Sequence, residues 1–137
     1  MSAQRVGPRV GDVMTEDPVT VEESANLADA AHRMDVHHVS ALPVVDPQGV
    51  LVGLLSQTDL IHARTAAALW QRWPMLRVRD LMTAPALTIA LEAPIVDAAR
   101  TMEAHHVHRL VVTGADGRMP VGIVSVSDLV RVIGDLR

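Results

Sequence analysis

The apolar positions of this chain fall into two spacings, and the same order of spacings runs through it twice. Leu27, Ala30, Ala31 and Met34 stand at i, i+3, i+4 and i+7, the period of a helix with one buried face. Ile95, Ala98, Ala99 and Met102 repeat that spacing, and Pro94 suits a first helical turn. A short extended piece precedes each helix, at Val19–Val21 and Ala86–Ile89. Two apolar runs follow, Leu42–Val45 and Val50–Leu55, split by Asp46-Pro-Gln-Gly49. Such runs with turn residues between them predict a β-hairpin. In the second copy the runs are Leu110–Val112 and Val121–Val124, around Gly114-Ala-Asp-Gly117. A last helix is expected to begin at Thr58 and at Ser127, each a good N-cap. The predicted order is βαββα, twice.

Superposing Gly11–Leu60 on Arg79–Leu129, with one extra residue before Val121, gives 20 identities in 50 positions. The chain is therefore an internal duplication. Its strongest blocks are Asp12-Val-Met-Thr15 against Asp80-Leu-Met-Thr83, and His37-His-Val39 against His105-His-Val107. Gly53-Leu-Leu-Ser-Gln-Thr-Asp59 answers Gly122-Ile-Val-Ser-Val-Ser-Asp128. This predicts one module over 1–137, with repeats at 11–64 and 79–137 joined by an apolar, Trp-bearing connector at 65–78. A repeat of about 55 residues has little surface to bury by itself.

Composition narrows the function. Apolar residues make up 49%, the mark of a globular chain. With no Phe or Tyr and only Trp70 and Trp73, the chain lacks the stacking faces of single-strand nucleic-acid platforms. A net charge of −4 supplies no footprint for DNA or RNA. No Cys is present, which excludes disulfides, thiolate metal sites and Cys nucleophiles. All 12 basic residues are Arg, so neither a phosphate-loop lysine nor a Schiff-base lysine exists. The start is polar and charged, and no run approaches the ~20 apolar residues of a membrane span. The expectation is a soluble cytoplasmic protein with no nucleic-acid and no membrane partner. Nothing pairs a nucleophile with a base at a motif's spacing, so no enzyme is expected.

The paired Met-Thr openings, Val39-Ser-Ala-Leu-Pro-Val-Val-Asp46 and the two Gly-apolar-apolar-Ser-x-Ser/Thr-Asp closings resemble a tandem pair of CBS domains, a Bateman module. Val107-His-Arg-Leu-Val-Val112 and Gly122-Ile-Val-Ser125 further resemble segments of the nucleotide-sensing gamma subunits of AMP-activated protein kinases. The resemblance implies an α/β (α+β) fold of two βαββα repeats, related by a pseudo-twofold axis and packed sheet to sheet. It implies a regulatory module that needs no cofactor, binds adenine nucleotides in the cleft between the repeats, and signals energy or metabolite status to a partner protein. It further implies a homodimer. S-adenosylmethionine, a cyclic dinucleotide, or a ligand-free dimerisation role are the alternatives.

Carried over residue by residue, the resemblance assigns Thr15, Thr20, Val39, Ser40, Ile123, Ser125, Ser127 and Asp128 to a first ligand site, with His108 and Arg109 facing phosphate. Asp128 would accept both ribose hydroxyls, a charge-assisted contact. Thr83, Thr88, Val107, Leu54, Ser56, Thr58 and Asp59 form the second site. There Ser40 and Ala41 stand where the first has His108 and Arg109, so the second lacks the cations. Each residue also has a plainer reading. An Asp in a first helical turn complements the helix dipole without any ligand. The serines can satisfy backbone groups at strand ends, and the threonines can be caps or turn residues. Val39, Val107 and Ile123 are expected in the core either way. The paired histidines suit helix C-termini better than a metal, since adjacent side chains diverge. Trp70 and Trp73 read as a connector covering its own core or as an anchor for a partner. Arg5 and Arg9 read as a solvated arm.

Overall fold

The computed structural model describes residues 7–135; Arg5 lies outside them. The elements are α1 (Val10–Val13), β1 (Thr15–Glu16), β2 (Val21–Glu22), α2 (Leu27–His37), β3 (Ala41–Val45), β4 (Leu51–Ser56), α3 (Gln57–Thr65) and α4 (Ala67–Arg72). A 3-10 turn at Trp73–Met75 leads to α5 (Val78–Leu81), β5 (Thr88–Ala90), α6 (Ile95–His105), β6 (Arg109–Thr113), β7 (Pro120–Ser125) and α7 (Val126–Gly134). The α+β class and the twofold repetition are as the pattern predicts. The first extended piece is shifted: the strand is Val21–Glu22, the stretch whose backbone pairs in parallel with Val44 and Val45. No helix among the described residues is long and apolar enough to cross a membrane.

The last helices start before Thr58 and Ser127. Ser56 and Ser125 are the N-caps. Each Ser accepts from the amide of the Asp three residues on, and each Asp accepts from its Ser amide. Ser-x-x-Asp is a capping box, which satisfies two otherwise orphaned donors at once. A single capping hydroxyl at Thr58 or Ser127 satisfies fewer.

The described residues form two compact units whose limits are offset from the sequence repeats, one made of residues 7–17 and 87–135 and the other of 18–86. The offset arises because the Met-Thr opening of each repeat packs with the hairpin of the other. In the first unit, β1 pairs antiparallel with β7, Thr15 opposite Ile123, in a sheet ordered β1-β7-β6-β5. In the second, β2-β3-β4 is extended by an antiparallel bridge between Leu54 and Thr83. Each repeat thereby gains apolar surface that its own 55-odd residues lack. Val10, on α1, is fully buried with Ala98, Met102, Leu110, Val112, Val124 and Leu129. Val78, on α5, is buried with Leu27, Met34, Leu42, Leu55 and Leu76.

The hairpin turns follow their chemistry. Asp46 Oδ1 accepts from the amides of Gln48 and Val50, and Gly49 takes φ 84°. Asp116 does the same work in the second copy, and the Arg118 amide at 3.0 Å holds this exposed carboxyl below its usual range. Both α2 and α6 end on a left-handed histidine, His38 and His106. Arg9 is exposed, as expected, and is also tethered: its guanidinium donates to the Glu92 carbonyl at 2.7 Å, and its amide donates to Asp12. In the connector, Trp73 packs on the core of its unit, whereas Trp70 is half exposed beneath Arg64, whose guanidinium lies 3.6 Å from the ring centre.

Two glycines admit the exchanged openings. A Cβ on Gly53 would stand 2.6 Å from Met82 Sδ and 2.8 Å from the Thr83 carbonyl oxygen. A Cβ on Gly122 would meet Met14 Sδ and, at 2.9 Å, the Thr15 carbonyl oxygen. The sulfur can move, but the carbonyl belongs to the pairing strand. Gly122→Ala is therefore expected to cost about 1–3 kcal/mol, the usual range for overpacking. Urea unfolding should show a lowered midpoint, and an unchanged midpoint would mean that β1 is not held against β7.

Candidate functional site

Each unit presents a carboxylate at the point where the second strand of its hairpin runs into a helix, β7 into α7 and β4 into α3. In the first unit Asp128 Oδ2 accepts from the Ser125 amide at 2.8 Å and from the Ser125 hydroxyl at 3.0 Å. Asp128 is buried, 7% exposed, and Arg131 Nη2 lies 3.3 Å from its other oxygen, Oδ1. In the second unit Asp59 Oδ2 accepts from the Ser56 amide at 2.8 Å. Here the Ser56 hydroxyl bonds the Thr58 hydroxyl at 2.8 Å instead of the carboxylate. Both carboxylates are thus structural caps as well as candidate acceptors. Replacing either with Ala removes a cap worth about 0.5–2 kcal/mol, so Asn, which keeps an acceptor, is the informative substitution.

Strand register decides which other candidates join them. Residues opposite one another in a sheet share a face. Thr15 lies opposite Ile123, Val111 opposite Ile123 from the other side, and Arg109 opposite Ser125. Thr15, Arg109, Ile123 and Ser125 therefore share one face of the first unit, at the end where α7 begins with Asp128. Ser127 is exposed on the first turn of α7. The Val126 amide donates to the His108 carbonyl at 2.9 Å, which ties the start of α7 to the start of β6. In the second unit Thr83 lies opposite Leu54, Pro43 opposite Leu54, and Ala41 opposite Ser56. The Gln57 amide donates to the Ser40 carbonyl at 2.9 Å. The two arrangements share this backbone register and differ in side chains that duplication changed: Arg109 for Ala41, Val111 for Pro43, Arg131 for His62.

The expected pair of cations is divided. Arg109 shares the face of Ser125, whereas His108 lines a groove of about 460 Å³ between α6 and α7, with Met102, Val107, Leu129 and Ile133. Neighbouring residues at a strand start point to opposite faces. Val39 and Val107 pack on the cores of their units. Ile123 and Leu54 do not belong to those cores: both are half-buried, on strands whose alternate residues Gly122 and Val124, and Gly53 and Leu55, are buried. Thr20, Val39 and Ser40, which the resemblance groups with Asp128, belong to the 18–86 unit. Thr88 and Val107, grouped with Asp59, belong to the unit that contains 87–135. Arg131 is not among the sequence candidates, although its place three residues after Asp128, in ion-pair reach on a helix, is a readable signal. No group of three or more potential metal ligands occurs among the described residues.

Comparison with known proteins identifies the repeated unit. The profile of the CBS domain matches twice, at residues 10–66 and 78–135. A homoserine O-acetyltransferase of Methanococcoides burtonii is 36% identical over 125 residues, which are 91% of this chain and 24% of that protein. The chain thus spans about a quarter of that relative's length. Among solved structures, CBSX2 in complex with AMP is 31% identical with a TM-score of 0.79, over 93% of this chain and 96% of that one. The CBS domain pair of protein MJ0100, in complex with 5'-methylthioadenosine and S-adenosyl-L-methionine, is 26% identical with a TM-score of 0.80, over the same shares of the two chains. Two matched copies that fill most of the chain, on a fold shared with these pairs, make this protein a member of the CBS domain family.

Proposed function

We propose that this chain is a non-catalytic regulatory module that binds an adenosine-bearing nucleotide and passes its occupancy to a partner protein. The observation that carries the reading is the carboxylate of Asp128, held at a strand-to-helix junction by Ser125. It stands beside a face that offers Thr15, Ile123 and Arg109. A half-buried aliphatic side chain suits a base, a fixed carboxylate suits a ribose diol, and a guanidinium suits a phosphate. The similar structure of CBSX2 holds AMP, a ligand with all three parts.

The differences between the units support unequal ligands. Arg109 supplies a cation beside Ser125, while the corresponding residue beside Ser56 is the buried, apolar Ala41. The Asp128 position is therefore assigned to phosphorylated adenosine. The Asp59 position suits adenosyl ligands without phosphate, such as the methylthioadenosine and S-adenosylmethionine of the MJ0100 pair. His108, on the helix groove, has no part in this assignment.

Three outcomes are expected. AMP should raise the melting temperature, because a ligand that binds only the folded chain stabilises it. Asp128→Asn should weaken AMP binding about ten- to a hundredfold in calorimetry, the worth of a charged hydrogen-bond partner. Unchanged AMP affinity in Asp128→Asn would remove Asp128 from the site. Arg109→Ala should lower affinity for AMP while leaving that for adenosine nearly unchanged, and added salt should narrow the advantage of AMP in the wild type. Equal losses for the two ligands would show that Arg109 serves the fold or an interface instead of phosphate.

A further inference from the structure

The two carboxylates differ in a way that their shared Ser-x-x-Asp frame does not require. In Asp59, Oδ2 is taken by the capping box, and Oδ1 has no hydrogen-bond or ion-pair partner among the described residues. In Asp128, Oδ2 is taken by Ser125 and Oδ1 by Arg131. The residue at the place of Arg131 after Asp59 is His62, whose carbonyl accepts from Thr65 and Ala66 and which makes no ion pair with Asp59. One oxygen of each carboxylate is thus engaged by the fold, and the other is the one with more room for a ligand. At Asp59 that oxygen is open, and at Asp128 a cation already occupies it.

We propose that Arg131 is a specificity-determining residue: it competes with ribose hydroxyls for Asp128 Oδ1 and so biases this position against neutral nucleosides. The inference rests on the adenosyl reading above and adds to it which ligands each carboxylate accepts. A neutral nucleoside brings two hydroxyl donors and must compete with a guanidinium for Oδ1. It gains nothing from the cation it loosens. A nucleotide meets the same competition, but its phosphate is attracted to the loosened charge and to Arg109. The competition is modest by construction. The Arg131 side chain is 66% exposed while that of Asp128 is 10% exposed, so solvent and salt screen the pair from one side. A weak, exchangeable counter-ion of this kind shifts selectivity without closing the position.

The test uses the full chain carrying Asp59→Asn, which leaves one ribose carboxylate, with and without Arg131→Gln. Arg131 is exposed, and Asp59→Asn keeps an acceptor for the Ser56 amide, so both proteins are expected to fold; melting curves check this. Adenosine and AMP are titrated by calorimetry at low and high salt. Removal of an exposed ion pair should tighten adenosine binding about two- to fivefold and narrow the preference for AMP. Salt should tighten adenosine binding to the protein that retains Arg131 more than to the Arg131→Gln protein, because screening weakens the competing pair. A purely structural ion pair would move the melting temperature and leave these ratios alone. Adenosine affinity that is unchanged or weaker in Arg131→Gln overturns the inference, and AMP binding that still depends on Asp128 would leave the adenosyl reading standing. No binding of either ligand by the wild-type chain overturns the adenosyl reading and this inference together.

Discussion

The reciprocal bonds between a serine at the end of a strand and an aspartate three residues on organise each half of this protein. Ser125 and Asp128 close one junction, and Ser56 and Asp59 the other. These bonds satisfy helix N-terminal amides that would otherwise lack partners. They also fix the direction in which the helix leaves the sheet, and with it the packing of Leu129 and Leu60 into their cores. The same bonds immobilise a charged oxygen pair at the sheet's end. Stability and the proposed recognition therefore draw on one group, divided by atom: Oδ2 serves the cap and Oδ1 is left for a ligand.

A second constraint lies three residues upstream of each capping serine. The glycines at 53 and 122 leave room for a Met-Thr segment from the other repeat to lie directly on the strand. That exchange brings Thr15 opposite Ile123 and Thr83 opposite Leu54. It also explains how repeats of about 55 residues, too small to bury much alone, each complete a core. The openings that the sequence marks among the most similar blocks of the duplication are thus structural keys before they are anything else. Their threonines reach the candidate site because the pairing carries them there.

Much of this is legible in the sequence. Helical spacing at Leu27–Met34 and Ile95–Met102, hairpin chemistry at Asp46–Gly49 and the duplication itself lead to the elements found. Other features are not legible in it, for physical reasons. Thr58 and Ser127 look like N-caps when one hydroxyl before a helix is weighed without a reciprocal carboxylate; the Ser-x-x-Asp pairs outbid them. Ile123 looks like core until alternation along its six-residue strand is followed to the end, where Gly122 and Val124 take the buried face. Arg9 is exposed as the sequence suggests, but its bond to the Glu92 carbonyl, 83 residues away, leaves no local trace. The offset between repeats and compact units is of the same kind, a tertiary choice that periodicity does not encode.

The central claim is that the carboxylate oxygen left over by each capping box is the ribose acceptor. A crystal structure of the chain grown with AMP tests it most directly. The account predicts both ribose hydroxyls within hydrogen-bond distance of Asp128 Oδ1, with Arg131 moved off that oxygen and the Ser125 bonds to Oδ2 intact. AMP bound with the Asp128–Arg131 pair undisturbed and its ribose on other groups would contradict the account.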